Sequence, residues 1–573
     1  MDIKSIDKIN IDKLIEGYQY YCLPDDLLLG DIKENIVDIV LKILQNSNNY
    51  CYKFNDDLID IEHISNVSSP SYIFNFGSEP ISFFDFKKNG AYREIQIPNL
   101  VFYIGFIYNS IISFESVFDK VYSHDNDFTK YSNSYVVFEN EFTIHNDYDN
   151  TTEKIMGGEF ATRNNKTVNQ LTSKERTENY LEKMSSKLYV LKLDIESFYP
   201  NIYTHLLSSI KNRMPYDKLI DNKKYFDFLD KYNMKVGANQ TKGIMAGCFS
   251  SNISSELLML CVDYEISQYV KEKNIAYIRY VDDFTFFSDS KEQLENIISY
   301  VQKVLNKYKL RINHTKTKIS PNLLFTDSLD FTAIDNDFRL INEIWSDYND
   351  FIQLKRLFEK YLKLGQISEL KVMLSRIAKN IKEETIHFEL FETNKMIKYM
   401  VNYIIQLIFY DTNLAVNCYK VLDELFTYYK KMDLDSDELM ESLAEKNEQI
   451  NELFSNSLIQ IWHYYILNKH GNQKNIFKYY FDLSDQTNKQ NESINPLVLS
   501  TFIEKGDNKN GDLFKYIIQE YKKTISDEKK WKTTIMLSKW WLPILKIRNV
   551  DKKNYYKFYS ANNFLPIWED LSK

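Results

Sequence analysis

The chain divides by the rhythm of its apolar residues. From Ile81 to Asn99 apolar and polar positions alternate. Phe84 and Phe86 lead into Asn89-Gly90, then Tyr92, Ile95 and Ile97 run up to Pro98, which predicts a β-hairpin. Leu188–Leu193 is an apolar run of strand length, and Ile275–Phe287 reads as strand, turn and strand, with mostly helical sequence between the two. Helical spacing recurs over Asp31–Leu44 and Leu100–Phe118. Residues 123–175 are polar and irregular, contain Gly157-Gly158, and predict an insertion or loop region. Beyond about residue 335 the rhythm changes. Amphipathic helices are predicted at 338–364, 366–382, 384–409, 412–431 and 435–468, followed by a polar loop region from Asn472 to Asn495.

These elements predict two units. Residues 1–335 form a mixed α+β unit with a helical N-terminal extension, and residues 336–573 form an all-α unit of stacked helix pairs like a helical repeat. Composition agrees: Gly (14) and Pro (10) are scarce beside Tyr (43) and Phe (37), which favours long helices over hairpins. The five cysteines, Cys22, Cys51, Cys248, Cys261 and Cys418, are dispersed without a C-x-x-C pair, which excludes a disulfide framework or zinc cluster and suits a reducing cytoplasm. Met1-Asp2-Ile3-Lys4 is unlike a signal peptide. The most apolar stretch, Leu100–Phe114, is too short for a membrane span and carries Asn109 and Ser110. The net charge of -9 constrains partners, because proteins that grip long duplexes draw their affinity from basic surfaces. An acidic chain that handles nucleic acid must gather its positive charge locally.

One acidic pair stands apart. Asp-Asp pairs usually lie in solvated turns, as Asp25-Asp26 and Asp56-Asp57 are expected to do. Asp282-Asp283 instead falls between two apolar strands and after an aromatic residue, Tyr280. Leu191-Lys192-Leu193-Asp194 ends an earlier strand with a third carboxylate. Joining nucleotides requires carboxylates that hold two divalent ions near a hydroxyl and a leaving pyrophosphate, and this arrangement supplies them.

The surrounding residues carry a resemblance. Leu193-Asp194-Ile195-Glu196-Ser197-Phe198-Tyr199 resembles motif A of reverse transcriptases, and Arg279-Tyr280-Val281-Asp282-Asp283-Phe284 resembles motif C. Lys242–Gly247 followed by Ser250-Ser251 is similar to motif B, Leu310–Thr317 to motif D, and Lys87–Pro98 to the fingers segment that grips triphosphate. Finer features, Phe198-Tyr199 with Tyr203-Thr204-His205 and the motif C phrase, are similar to bacterial abortive-infection reverse transcriptases of the AbiK kind and related unknown-group enzymes. That resemblance implies a right-hand polymerase with palm and fingers, followed by a helical C-terminal region. It also implies a bacterial, cytoplasmic role in phage defence and template-independent synthesis from dNTPs, primed by a protein tyrosine. The implied product is single-stranded DNA attached to the protein, and the implied assembly is a homo-oligomer.

The resemblance assigns roles residue by residue. Asp194, Asp282 and Asp283 would be catalytic ligands of two Mg2+ ions, with Mn2+ as the alternative, and the Ile195 carbonyl would be a further ligand. Lys88 and Arg93 would contact phosphates. Gly247, in motif B, would let backbone approach the nascent base pair. Tyr199 would exclude a ribose 2'-hydroxyl, with Phe198 as the other candidate, and Lys316 would protonate pyrophosphate. Tyr50 and Tyr52 are the priming candidates, by their place upstream of the fingers motif. Plainer readings stand beside these: a core position for Tyr199, surface positions for Lys88 and Lys316, a structural role for His205. Trp462, Tyr464 and Tyr465 could stack bases, but helix packing is their ordinary use. Motif B departs from its pattern at Met245 and Ala246, which bears on template handling more than on chemistry. The arginines after residue 335 lack a histidine at the spacing of a helical ribonuclease motif, so no second active site is expected. Two other functions remain: an RNA-templated enzyme copying a partner non-coding RNA, and an inert polymerase fold whose helical unit senses a phage component.

Overall fold

The computed structural model describes residues 77–134, 173–322, 348–471, 494–524 and 535–550 with short interruptions, together with scattered positions from Tyr18 to Leu28 and short strands near 53–59 and 344–345. Lys88, Tyr50, Tyr52, the Asn89-Gly90 turn, helix 31–44, most of the 123–175 insertion and the expected boundary near 335 lie outside the described residues.

The hairpin forms as the alternation requires. Strand β1 (Ile81–Phe86) pairs antiparallel with β2 (Tyr92–Ile97), Ile81 opposite Ile97 and Phe86 opposite Tyr92. Ile81, Phe83, Ile95 and Ile97 point into the core. Described positions between Leu100 and Ser110 are helical, and Phe114–Phe118 forms a π-helical turn rather than a continuation of the predicted α-helix.

A second, four-stranded sheet carries the acidic residues. After helix α1 (Ser173–Met184) come β3 (Tyr189–Asp194), helix α2 (Lys224–Val236), the 25-residue helix α3 (Phe249–Lys273), β4 (Ala276–Tyr280), β5 (Asp283–Ser288), α4 (Lys291–Lys307) and β6 (Lys318–Pro321). The spatial order is β4-β5-β3-β6, all antiparallel. Leu191 and Leu193 of β3 share the core face with Phe284 and Phe286 of β5, which stack on each other and on Tyr277. On the other face Val190, Ile278 and Phe287 pack under Tyr180 and Met184 of α1. Helix α3 is buried on nearly every side, as expected of a helix that runs through a core.

The C-terminal unit is helical as predicted: α5 (Tyr348–Leu364), α6 (Ile367–Lys382), α7 (Thr393–Tyr410), α8 (Ala415–Lys431), α9 (Asp437–Ala444), α10 (Asn447–Leu453), α11 (Leu458–His470), α12 (Pro496–Thr501), α13 (Lys509–Thr524) and α14 (Trp541–Val550). Contacts pass between helices near in sequence, α6 to α8, α8 to α11, α11 to α12 and α12 to α14, in the manner of a stacked repeat. Two expectations need correction. The single helix read over 435–468 is three, and the last break falls where Asn456 takes a left-handed φ of 55° and Ser457 starts α11 by accepting the Gln460 amide. The unit is also not purely helical, since Ile344-Trp345 and His387-Phe388 form a minimal parallel pair. Trp462 and Tyr464 are buried, which settles their use as packing. No described helix is long and apolar enough to cross a membrane.

The helical unit is stitched to the hairpin. The Phe84 amide donates to the Asn456 carbonyl at 2.9 Å, and Asn495 Nδ2 donates to the Ser82 carbonyl at 2.9 Å. One hydrophobic core runs through both. Because Phe286 sits wholly buried on the central strand β5 of the four-stranded sheet, Phe286→Ala should cost about 3–5 kcal/mol of stability, to be read from urea unfolding.

Candidate active site

The sheet register decides where the carboxylates go. Asp194, last residue of β3, lies directly opposite Asp283, first residue of β5. Leu191, Leu193, Phe284 and Phe286 occupy the core face, so strand parity puts Asp194 and Asp283 together on the opposite face, beyond the end covered by α1. Like charges at directly opposed positions repel. Asp283 is open to solvent on its outer side. Lost hydration on the protein side, then the Asp282 and Asp194 carboxylates, push its carboxyl up to about 6. Burial, and then the Asp194 carboxylate, likewise raise Asp282.

Asp282 lies in a two-residue turn, Val281-Asp282, between the paired residues Tyr280 and Asp283. Val281 has φ 55°. A β-branched residue there is strained by roughly 1–3 kcal/mol, and the turn is held from both sides. Ile195 donates its amide to the Asp282 carbonyl at 3.3 Å, and buried Arg279 donates Nη1 to the Val281 carbonyl at 2.9 Å.

Around the acids stand the cations and polar groups expected of such a site. Asp194 Oδ2 accepts Nδ2 of Asn313 at 3.1 Å and lies 3.0 Å from Lys316 Nζ, while the Asn313 amide donates to the Asp194 carbonyl at 2.8 Å. Arg93, on β2 opposite Asp85, faces this floor closely enough to favour the ionised form of Asp282. Lys87, which the sequence did not single out, is lowered by lost hydration and then by repulsion from Arg93, with Lys316 and Lys371 adding to it and Asp85 opposing. Tyr199 donates its hydroxyl to Asn252 Oδ1 of α3 at 2.8 Å, and burial raises its pKa well above the usual phenol range. Phe198, its alternative, is in the core. His205 pairs with Asp230 at 2.9 Å, away from the acids, in keeping with a structural role.

The motif B glycines take left-handed conformations. Gly247 has φ 84°, and a Cβ there would meet Ile95 Cγ2 at 3.2 Å and the Tyr20 ring at 3.4 Å. A Cβ on Gly243, φ 89°, would meet the Pro200 backbone at 3.4 Å. On its Cβ side Gly247 thus lies against the hairpin and Tyr20. Tyr20 in turn donates its hydroxyl to the Gln96 carbonyl at 2.6 Å.

The donor chemistry fits hard divalent ions such as Mg2+ or Mn2+, which take carboxylate oxygens. Asp194, Asp282 and Asp283 are the residues that would hold them. Among the described residues no three acidic, His or Cys groups already converge on one point. Sequence reasoning passed over Asn313, Arg279, Asn252 and the buried acids Glu256 and Asp263. The legible signal was Arg279, an arginine at a core-facing strand position.

Comparison with known proteins adds a family to this geometry. Residues 144–335 match the family described as reverse transcriptase (RNA-dependent DNA polymerase). The chain is similar to the Retron Ec83 reverse transcriptase of Escherichia coli, at 36% identity over 112 residues, 19% of this chain and 35% of that protein. It is also similar to the Retron Se72 reverse transcriptase of Salmonella heidelberg (strain 579083-10), at 32% identity over 152 residues, 26% of this chain and 38% of that protein. The chain thus spans little more than a third of the length of these relatives. Apo telomerase from Candida tropicalis aligns over 79% of this chain and 86% of its own at 13% identity with a TM-score of 0.29, too loose to define a shared fold. The matched segment resembles a reverse-transcriptase domain and contains Asp194, Asp282 and Asp283.

The raised Asp283 pKa has a signed consequence. An acid whose folded pKa lies near 6, against about 3.9 unfolded, binds more protons folded than unfolded in that window. Stability therefore falls as pH rises through it, and the loss is complete above pH 6. In metal-free protein, Asp283→Asn should melt at a higher temperature than wild type at pH 7.5. The gap should close as pH falls below about 4, measured by paired thermal melts.

Proposed function

We propose that this protein is a reverse-transcriptase-type DNA polymerase of phage defence that extends a protein hydroxyl with dNTPs, without copying a template. The carrying observation is Asp194 opposite Asp283, with Asp282 fixed in the adjoining turn, inside a reverse-transcriptase domain. Divalent ions held there would activate the attacking hydroxyl and neutralise the leaving pyrophosphate. The chain's own residues supply the rest. Arg93 and Lys87 set positive charge over the floor to orient a triphosphate, and Lys316 stands within reach of both Asp194 and departing phosphate. Tyr199, anchored to Asn252, presents a fixed ring edge that selects against a 2'-hydroxyl.

The untemplated, protein-primed mode is supported by the acidic balance of the chain and by the motif B departures Met245 and Ala246. Buried Met245 and the close packing of Gly247 leave that loop engaged with the hairpin. Tyr50 and Tyr52 remain the proposed primers and residues 336–573 the proposed helical domain, with a homo-oligomer as the proposed assembly. A second reading, synthesis templated by a partner non-coding RNA, is favoured by the family description and by the names of the retron relatives.

Incubation of purified protein with Mg2+ and each labelled dNTP, without nucleic acid, separates the modes. Label that migrates with protein and is released by protease is expected, and is lost in Asp282→Ala plus Asp283→Ala. Label that appears only after RNA is added establishes the templated reading instead. For Tyr199→Ala, preference for dNTP over NTP should fall roughly 10- to 200-fold in competition assays. Unchanged preference would leave Tyr199 a packing residue.

A further inference from the structure

We propose that Arg279 is a positioning residue for the catalytic turn, holding the Val281 carbonyl so that Asp282 and Asp283 face Asp194, with its own place set by Asp263 and Glu256 of α3. The inference rests on the nucleotidyl-transfer reading of this site.

Strand parity sends Arg279 to the face opposite the three acids. It pairs across from Phe284 and is fully buried. Every donor of its guanidinium is used. Nε lies 3.0 and 2.9 Å from the two Asp263 carboxylate oxygens, and Nη2 donates to Asp263 Oδ2 at 2.6 Å and Glu256 Oε1 at 3.1 Å. Nη1 donates to Glu256 Oε2 at 3.0 Å, Ser134 Oγ at 3.1 Å and the Val281 carbonyl at 2.9 Å. The acids are satisfied in turn, by Tyr277 Oη on Asp263 at 2.9 Å and Ser134 Oγ on Glu256 at 2.8 Å.

Two carboxylates already more than balance the arginine's charge, so charge alone does not explain the contact with Val281. Nor does stability explain the cluster, since buried ion pairs can often be exchanged for apolar residues of similar volume without loss. What the apolar exchange cannot reproduce is the donor at the apex of a strained turn. There a small rotation of Val281 swings Asp282 and Asp283 together. Helix α3 also carries Asn252, the partner of Tyr199, so one rigid helix references both the turn and the sugar-facing ring.

The test uses the full chain with Arg279→Met, Asp263→Asn and Glu256→Gln combined, which removes the buried charges together, and Arg279→Lys separately. Lysine keeps the charge but cannot span Asp263, Glu256 and Val281 at once. Thermal melting, Mn2+ binding by calorimetry, and kcat and KM for dNTP against Mg2+ concentration are measured. The triple variant should melt near wild type, yet bind Mn2+ roughly 10- to 100-fold more weakly and lose kcat with little change in KM. Arg279→Lys should show the same split and keeps the test informative should the triple variant not fold. Wild-type Mn2+ affinity and kcat in either folded variant overturn the inference alone. Wild-type protein that neither binds Mn2+ nor transfers nucleotides overturns the nucleotidyl-transfer reading and the inference with it.

Discussion

The site depends on one register: Asp194 faces Asp283 across an antiparallel pair. Two acids in directly opposed positions are among the least favourable cross-strand neighbours, and Asp282 adds a third charge one residue away. Sheet pairing enforces the arrangement because slipping by one residue would turn Leu191, Leu193, Phe284 and Phe286 out of the core. The apolar face therefore fixes what the acidic face would refuse. Lys316 and Asn313 at Asp194 then offset part of the repulsion.

Although the chain's net charge is -9, four cations collect near these acids. Arg93 and Lys87 come from the hairpin, Lys316 from the segment after α4, and Lys371 from α6 of the helical unit. Lys371 reaches this neighbourhood because the hairpin is held on both edges. β2 is tied to Tyr20 and the motif B loop, while β1 donates to Asn456, bridges to Ser457 and accepts from Asn495 of the helical unit. An exposed strand edge invites pairing with other chains, and covering it with helices removes that hazard. The cover also joins the helical unit to the hairpin through shared hydrogen bonds and one core.

Much of this was legible. Alternation located β1, β2, β4 and β5 within a residue or two, because one face of each sheet is buried and the period of two is imposed by that face. Asp194, Asp282 and Asp283 could be named because a strand end and a strand turn are local features. Non-local features escaped. Nothing within motif B reveals that Gly247 faces Ile95 and Tyr20, since those partners lie far away in the chain. The break at Asn456 hid within an apolar period that continues across it, because asparagine tolerates the left-handed conformation without disturbing the pattern. Asp263 and Glu256 drew no notice within a long helical segment. Only the strand placing Arg279 between them makes their burial sensible.

Energetics also bears on whether the fold is a working enzyme or a retained scaffold. The site holds three mutually repelling carboxylates, a β-branched residue in the left-handed region, and a buried arginine shared by two acids. None of these is what a sheet selected for stability alone would keep. Asn at 283 would relieve repulsion, and Gly at 281 would relieve backbone strain. Strain gathered at one point and braced by the surrounding core is the pattern of a site whose geometry is in use. A binding role for the helical unit is compatible with this, but the cost is concentrated in the palm. A ligand of the helical wall would therefore act most directly through β1, the strand it already holds, and so on Arg93 above the acids.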